Sequence, residues 1–281
     1  MRIANHAGRA VLIASDGKAA DIATASAGRF GPDPQSIYDR WDDFTAWAAA
    51  TATPAPDVDL DRTLLGSPSP APSQVIAIGL NYADHAAETG FEPPKDLPPV
   101  FTKFASSITG PYGEIGLPDG GHTDWEVEVV AVIGRPAHRV SADRAWDHVA
   151  GLTVGQDLSE RILQFTGEAP QFGFAKSYPG FAPIGPWLVT LDEIPNRDDL
   201  ALGCSIDGET VQDGRTSKLI FSIPRTIAKL SEVLTLHPGD VIFTGTPDGV
   251  GLGRTPQRFL RSGETLRTWV EGIGEMEHTF R

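Results

Sequence analysis

The stretch TDWEVEVVAVIGR, residues 123–135, decides how the chain folds. In an extended segment successive side chains point to opposite faces. Asp124, Glu126, Glu128, Val130 and Val132 then share one face, and Trp125, Val127, Val129, Ala131 and Ile133 share the other. Both faces turn apolar towards the end of the run. This predicts a strand over 124–133 that enters the core just after its carboxylates.

Working outward, VAGLTVGQDLSERILQF (149–165) begins extended and ends helical. Further strands are expected at 75–78, 187–190, 202–207 and 241–243, with a turn at Asp207-Gly208. A helical pattern runs over 220–234 through Ile223, Ile227, Leu230 and Leu234. ADHAAETG (83–90) reads as a short helix stopped by Gly90. The four prolines of FEPPKDLPPV (91–100) exclude regular structure there. Helix and loop together, 83–98, are expected to form a lid that is mobile without ligand.

Upstream, GSPSPAPSQ (66–74) has the composition of a linker. It separates a small α+β module, 1–70, from a larger unit, 71–281. Within the module, Val11, Leu12 and Ile13 precede Asp16-Gly17, a hairpin signal, and Ile37, Trp41, Phe44 and Trp47 mark an amphipathic helix over 35–50. No internal repeat is evident.

Composition narrows the function. The 281 residues are 40% hydrophobic and 21% charged, typical of an ordered globular protein. Thirty glycines and 23 prolines point to a turn-rich, mainly β chain with some α. A net charge of −14 disfavours nucleic acid. No apolar run reaches the roughly 18 residues of a membrane span. The start, MRIANHAGRA, lacks a secretory core, so a cytoplasmic protein is expected. Cys204, the single cysteine, cannot build a disulfide within the chain or a thiolate zinc site.

Several residues could carry chemistry. Glu126 and Glu128 alone fit a solvated polar face, yet that face continues into Val130 and Val132. Two buried carboxylates would repel unless a cation lay between them. Asp157 fits the N-cap of a helix with Glu160 completing a capping box, or a third ligand. Three carboxylates without thiolate suit Mg2+, Mn2+ or Ca2+ rather than zinc. His85 and Glu88 are three apart on one helical face. They fit a surface pair, or a base with its orienting carboxylate. FTGTPDGVGLG (243–253) lacks the Lys of a phosphate loop. It fits a tight turn, or a cradle in which Thr244 and Thr246 meet a carboxylate or enolate oxygen. Lys176 is a lone cation among aromatics and prolines.

Taken in order, GLNYADHAAE (79–88), TDWEVEVVAVIGR, AGLTVGQDLSERILQF (150–165), AKSYPGFAPIGPWLVT (175–190) and PGDVIFTGTPDGVGLG (238–253) resemble the fumarylacetoacetate hydrolase superfamily, over about residues 75–281. The resemblance implies a mixed β-sandwich roll and a homodimer. It assigns Glu126, Glu128 and Asp157 to Mg2+ or Mn2+, His85 and Glu88 to a water-activating dyad, and Lys176 to the active site. Arg161, Gln164, Tyr82 and Thr246 become substrate contacts. Where many members have an acidic residue after the arginine this chain has Ile162, and where many read K-S-F-D it reads Lys176-Ser177-Tyr178-Pro179.

The activity implied is hydrolysis of a C–C bond in a 1,3-diketone or acylpyruvate, the leaving enolate held at the metal. A decarboxylase or keto-enol isomerase of a related β-keto acid is the alternative, and an inactive binding protein the third reading. Phe165, Phe172, Phe174 and Phe181, with Ile162 and Pro179, predict an apolar extension of the pocket. They favour a substrate with one chelating end and one hydrophobic end.

Overall fold

The computed structural model describes residues 1–14, 17–51 and 56–281. The expected 124–133 strand appears as two pieces, Thr123–Asp124 and Val127–Ile133. Between them, side chains replace ladder partners. Trp125 N donates to Oδ1 of the preceding Asp124 at 2.9 Å, Glu126 N to Gln156 Oε1 at 2.8 Å and Val127 N to Gln212 Oε1 at 2.9 Å. Released from the ladder, this short break presents the carboxylates.

Beyond the break the alternation holds. Val127, Val129, Ala131 and Ile133 pack in one core with Leu202, Cys204, Leu266 and Val270, and Val130 and Val132 pack in another with Tyr38, Trp41 and Phe44. The strand lies in an eleven-stranded mixed sheet. Its neighbours are Val149–Gln156 and Val241–Phe243, both antiparallel to it, and Val75–Ile78 runs parallel to the latter. A five-stranded sheet, including Ala201–Ile206, Glu209–Arg215, Thr265–Val270 and Gly274–Phe280, covers one face. The N-terminal helix Trp41–Ala50 covers part of the other. The protein is therefore mostly β, with two sheets packed face to face and short helices around them.

The strands Arg2–His6, Arg9–Ile13 and Ala19–Asp21 extend the same large sheet, because Arg2–His6 pairs with Ala182–Val189. The 66–74 segment is not a free linker. Ser67 and Ser69 are buried, Asn5 Nδ2 donates to Ser67 O at 3.0 Å, and Ser69 Oγ donates to Gly239 O at 2.6 Å. Its serines and prolines resemble a linker in composition, but Ser67, Ser69 and the Pro68 carbonyl are spent on internal hydrogen bonds.

Other elements differ in detail. Residues 35–50 form a 3-10 turn, Gln35–Arg40, before the α-helix. The expected 220–234 helix is Ile223–Ser231, with Pro224 in its first turn where no donor is needed. Asp207 and Gly208 take positive φ between two paired strands, as a tight hairpin requires. The Asp16-Gly17 signal lies partly outside the described residues. Helix Ala83–Glu88 forms as expected, and 91–99 has no regular structure. Among the described residues no helix is long and apolar enough to cross a membrane.

Candidate metal centre and active site

Glu126, Glu128 and Asp157 converge. Each offers an oxygen within 4.8 Å of the others, and all three are buried. Asp157 follows the strand Val149–Gln156 and is tied to the break, its N–H donating to Glu126 O at 2.9 Å. It is not a helix cap. Glu160 caps the short helix Arg161–Gln164, accepting from Ile162 N and Leu163 N. That frees Asp157 for the cluster.

Cations surround the trio. Lys176 Nζ donates to Glu126 Oε2 at 2.7 Å and to Asp157 Oδ2 at 2.5 Å. Lys103 Nζ donates to Asp157 Oδ1 at 2.5 Å. Arg161 Nη2 donates to Glu126 Oε1 at 2.7 Å, its Nε to Asp124 Oδ2 at 2.9 Å and its Nη1 to Gln164 Oε1 at 2.8 Å.

Burial pushes Glu126 up, but Lys176 and Arg161 outweigh it and hold this carboxyl well below the usual range. Glu128 goes the other way: burial, then the charges of Asp157 and Glu126, raise it well above that range. Burial would lower Lys176, yet Asp157 and Glu126 raise it, whereas for Lys103 burial wins and lowers it.

A hard divalent cation fits this arrangement. The donor set is oxygen only, and among the described residues Glu128 makes just one hydrogen bond, from Gly245 N to Oε2 at 2.6 Å. Its destabilised charge is what a bound cation would relieve.

The glycine-rich loop after strand Val241–Phe243 acts differently from the expected substrate cradle. Its backbone N–H groups hold the protein's own carboxylates. Gly245 N reaches Glu128, Gly249 N reaches Glu88 Oε2 at 2.9 Å, and Gly251 N and Leu252 N reach Asp124 at 2.7 and 3.0 Å. Gly245 has φ +106, and a Cβ there would lie 2.6 Å from Asn81 Cβ, so the approach needs glycine. Thr244 Oγ1 donates to Val129 O, away from the cleft.

His85 Nδ1 and Glu88 Oε1 are 2.9 Å apart, so one carboxylate both orients the imidazole and is anchored by the loop. His85, Glu126, Glu128, Lys176, Arg161, Gln164 and Thr246 line one cleft enclosing about 40 Å3. Thr246 Oγ1 accepts from Gln212 Nε2 at 2.8 Å. Tyr82 is buried outside that lining, and its hydroxyl has no hydrogen-bond partner among the described residues. Burial and the Glu128 charge raise its pKa.

Of the four expected phenylalanines, Phe165 and Phe172 line the cleft, Phe181 is in the core, and Phe174 is 61% exposed elsewhere. Phe91 and Phe101 complete the apolar wall. Sequence reading missed these two, and it missed Lys103, the Asp124 anchor of Arg161, Gln156 and Gln212. Lys103 between Phe101 and Phe104 was the one local signal, a cation in an apolar run.

A family model described as fumarylacetoacetate hydrolase C-terminal matches residues 74–281. Solved structures similar to the whole chain include three of known source. A Mycobacterium smegmatis protein described as a "putative HpcE protein" is 55% identical with a TM-score of 0.95, covering 100% of this chain and 99% of that one. The 5-carboxymethyl-2-hydroxymuconate delta-isomerase of the same species is 36% identical with a TM-score of 0.75, covering 100% and 98%. The maleylpyruvate hydrolase of Sphingobium sp. SYK-6, in complex with manganese(II) and pyruvate, is 28% identical with a TM-score of 0.79, covering 100% and 98%. With the family model spanning most of its length and a carboxylate trio at the centre of its fold, the chain belongs to the fumarylacetoacetate hydrolase family of enzymes.

Proposed function

We propose that the protein is a divalent-metal-dependent hydrolase that cleaves a C–C bond in a 1,3-diketone or acylpyruvate. The observation that carries this is one cleft lined by Glu126, Glu128 and His85, with Asp157 completing the buried trio and Glu88 hydrogen-bonded to His85. Mg2+ or Mn2+ held by Glu126, Glu128 and Asp157 would supply Lewis-acid polarisation of substrate oxygens.

The chain's own residues account for the rest. Glu88 keeps the proton on Nδ1 of His85, leaving Nε2 free to take a proton from water. The hydroxide so formed adds to the acyl carbonyl, the C–C bond breaks, and its electron pair leaves on the enolate carbon. The proton held by His85 then returns to that carbon. Lys176 and Gln164 face the site where negative charge develops. The substrate is a small keto acid or diketone, and the working unit is a homodimer.

A second reading, isomerisation, is favoured by the tightness of the cleft and by the 36% identical isomerase. His85 would then move a proton between two carbons with no water consumed. The test is a screen of acylpyruvates, β-diketones and oxaloacetate with Mg2+ or Mn2+ in 18O-labelled water. Two products with label in the new carboxylate are expected. An unlabelled isomer or released CO2 would instead assign isomerase or decarboxylase.

A further inference from the structure

We infer that the cleft selects a substrate whose end remote from the carboxylate trio is uncharged and apolar, gripped at the mouth by Phe91 and Phe165. This rests on the hydrolase reading above. The cleft has two unlike halves. One carries Glu126 and Glu128 of the trio with Lys176, Arg161 and His85; the other is made of Phe91, Phe101, Phe165 and Phe172.

The deeper rings pack against each other. Phe101 and Phe172 lie 5.7 Å apart, and Lys176 Nζ sits 5.0 Å from the Phe101 centroid, so this pair joins the polar half to the apolar one. The outer rings are not covered: Phe91 is 41% and Phe165 43% exposed. Each is nevertheless anchored through its backbone, Phe91 N donating to Ala86 O at 2.9 Å and Phe165 N to Arg161 O at 3.3 Å. Rings with uncovered faces lose water when an apolar chain lies between them.

A second carboxylate has no such place. Both cations lining the cleft are committed: Arg161 to Asp124, Glu126 and Gln164, and Lys176 to Glu126 and Asp157. An anionic tail would therefore shed its hydration against phenyl rings without a partner.

The experiment measures kcat/KM across straight-chain acylpyruvates from acetyl to octanoyl, and for fumarylpyruvate, with Mn2+. The expected result is a rise of roughly fourfold per methylene, the transfer value of a buried CH2, until the chain passes the outer rings. Phe165→Ala should lower the slope to about twofold per methylene, and Phe174→Ala, outside the cleft, should leave it unchanged.

A flat or falling series, or fumarylpyruvate exceeding the best monoacid, overturns the inference while leaving the hydrolase reading intact. So does a Phe165→Ala protein that changes its sedimentation but not its slope, because the rim is then a subunit contact. Absence of turnover with every compound overturns the hydrolase reading. Calorimetric binding of straight-chain 2-oxo acids to the Mn2+-loaded protein still decides the inference in that case: affinity must rise with length, and equal affinities refute it.

Discussion

At the scale of single residues, three carboxylates in one cluster are not equivalent. Glu126 and Asp157 already neutralise lysine and arginine charges, whereas Glu128 has one backbone donor and a raised pKa. Glu126→Gln, Glu128→Gln and Asp157→Asn should each weaken Mn2+ binding at least tenfold, read by calorimetry. Their metal-free stabilities should diverge. Removing Asp157 leaves buried Lys103 without a carboxylate, and removing Glu126 takes one from both Lys176 and Arg161; each should cost about 3 kcal/mol in urea unfolding. Removing Glu128 relieves repulsion and should leave stability equal or higher. Equal losses for all three would refute this division. His85→Ala should lower kcat by roughly 10²-fold, the scale of a lost general base, with Mn2+ affinity unchanged. Wild-type turnover by that variant would remove His85 from the chemistry.

At the scale of elements, the site depends on a strand that stops pairing for two residues. Gln212, on the strand Glu209–Arg215 of the opposite sheet, accepts from Val127 N and donates to Thr246 Oγ1 and Pro247 O. It therefore fixes the carboxylate-bearing break and the glycine loop together. Gln212→Leu should weaken Mn2+ binding by about tenfold, the usual cost of losing a group behind a metal ligand, in a protein whose circular dichroism is native. Unchanged affinity would reduce Gln212 to a packing residue. The helix Ala83–Glu88 is too short to be stable by itself, and the prolines after it remove backbone donors. Hydrogen exchange over 83–98 should slow when Mn2+ and oxalate are added together. Identical exchange with and without them would rule out a lid.

At the scale of the whole molecule, one buried imidazole should make the fold sensitive to acid. His278 lies on strand Gly274–Phe280, its Nε2 3.0 Å from Gly110 O and its Nδ1 without a partner among the described residues. Burial pushes its pKa down to about 4. As pH falls below the unfolded value near 6.5, the unfolded chain takes up a proton that the folded one refuses. Stability is lost progressively until about pH 4 and then no further, by up to about 3 kcal/mol. His278→Gln, which keeps a donor for Gly110, should recover most of that loss between pH 7 and 4.5 in urea titrations. Parallel pH profiles for the two proteins would show that other groups set acid stability.

The sequence alone determined the faces of the 124–133 strand, because alternation needs only a period of two, and it singled out the carboxylate trio and the His–Glu pair by residue type and spacing. It also marked a helix at 83–88 and the turn at Asp207-Gly208, whose constraints are local. Only the tertiary structure decided the rest. Gln212 lies 85 residues from the backbone group it holds, and Lys103 lies 54 residues from Asp157. Such partners are chosen by sheet packing and leave no mark in local pattern. The 66–74 segment teaches the same lesson in reverse: its composition is that of a solvated linker, and only the burial of Ser67 and Ser69 against the sheet shows where its polar groups are satisfied.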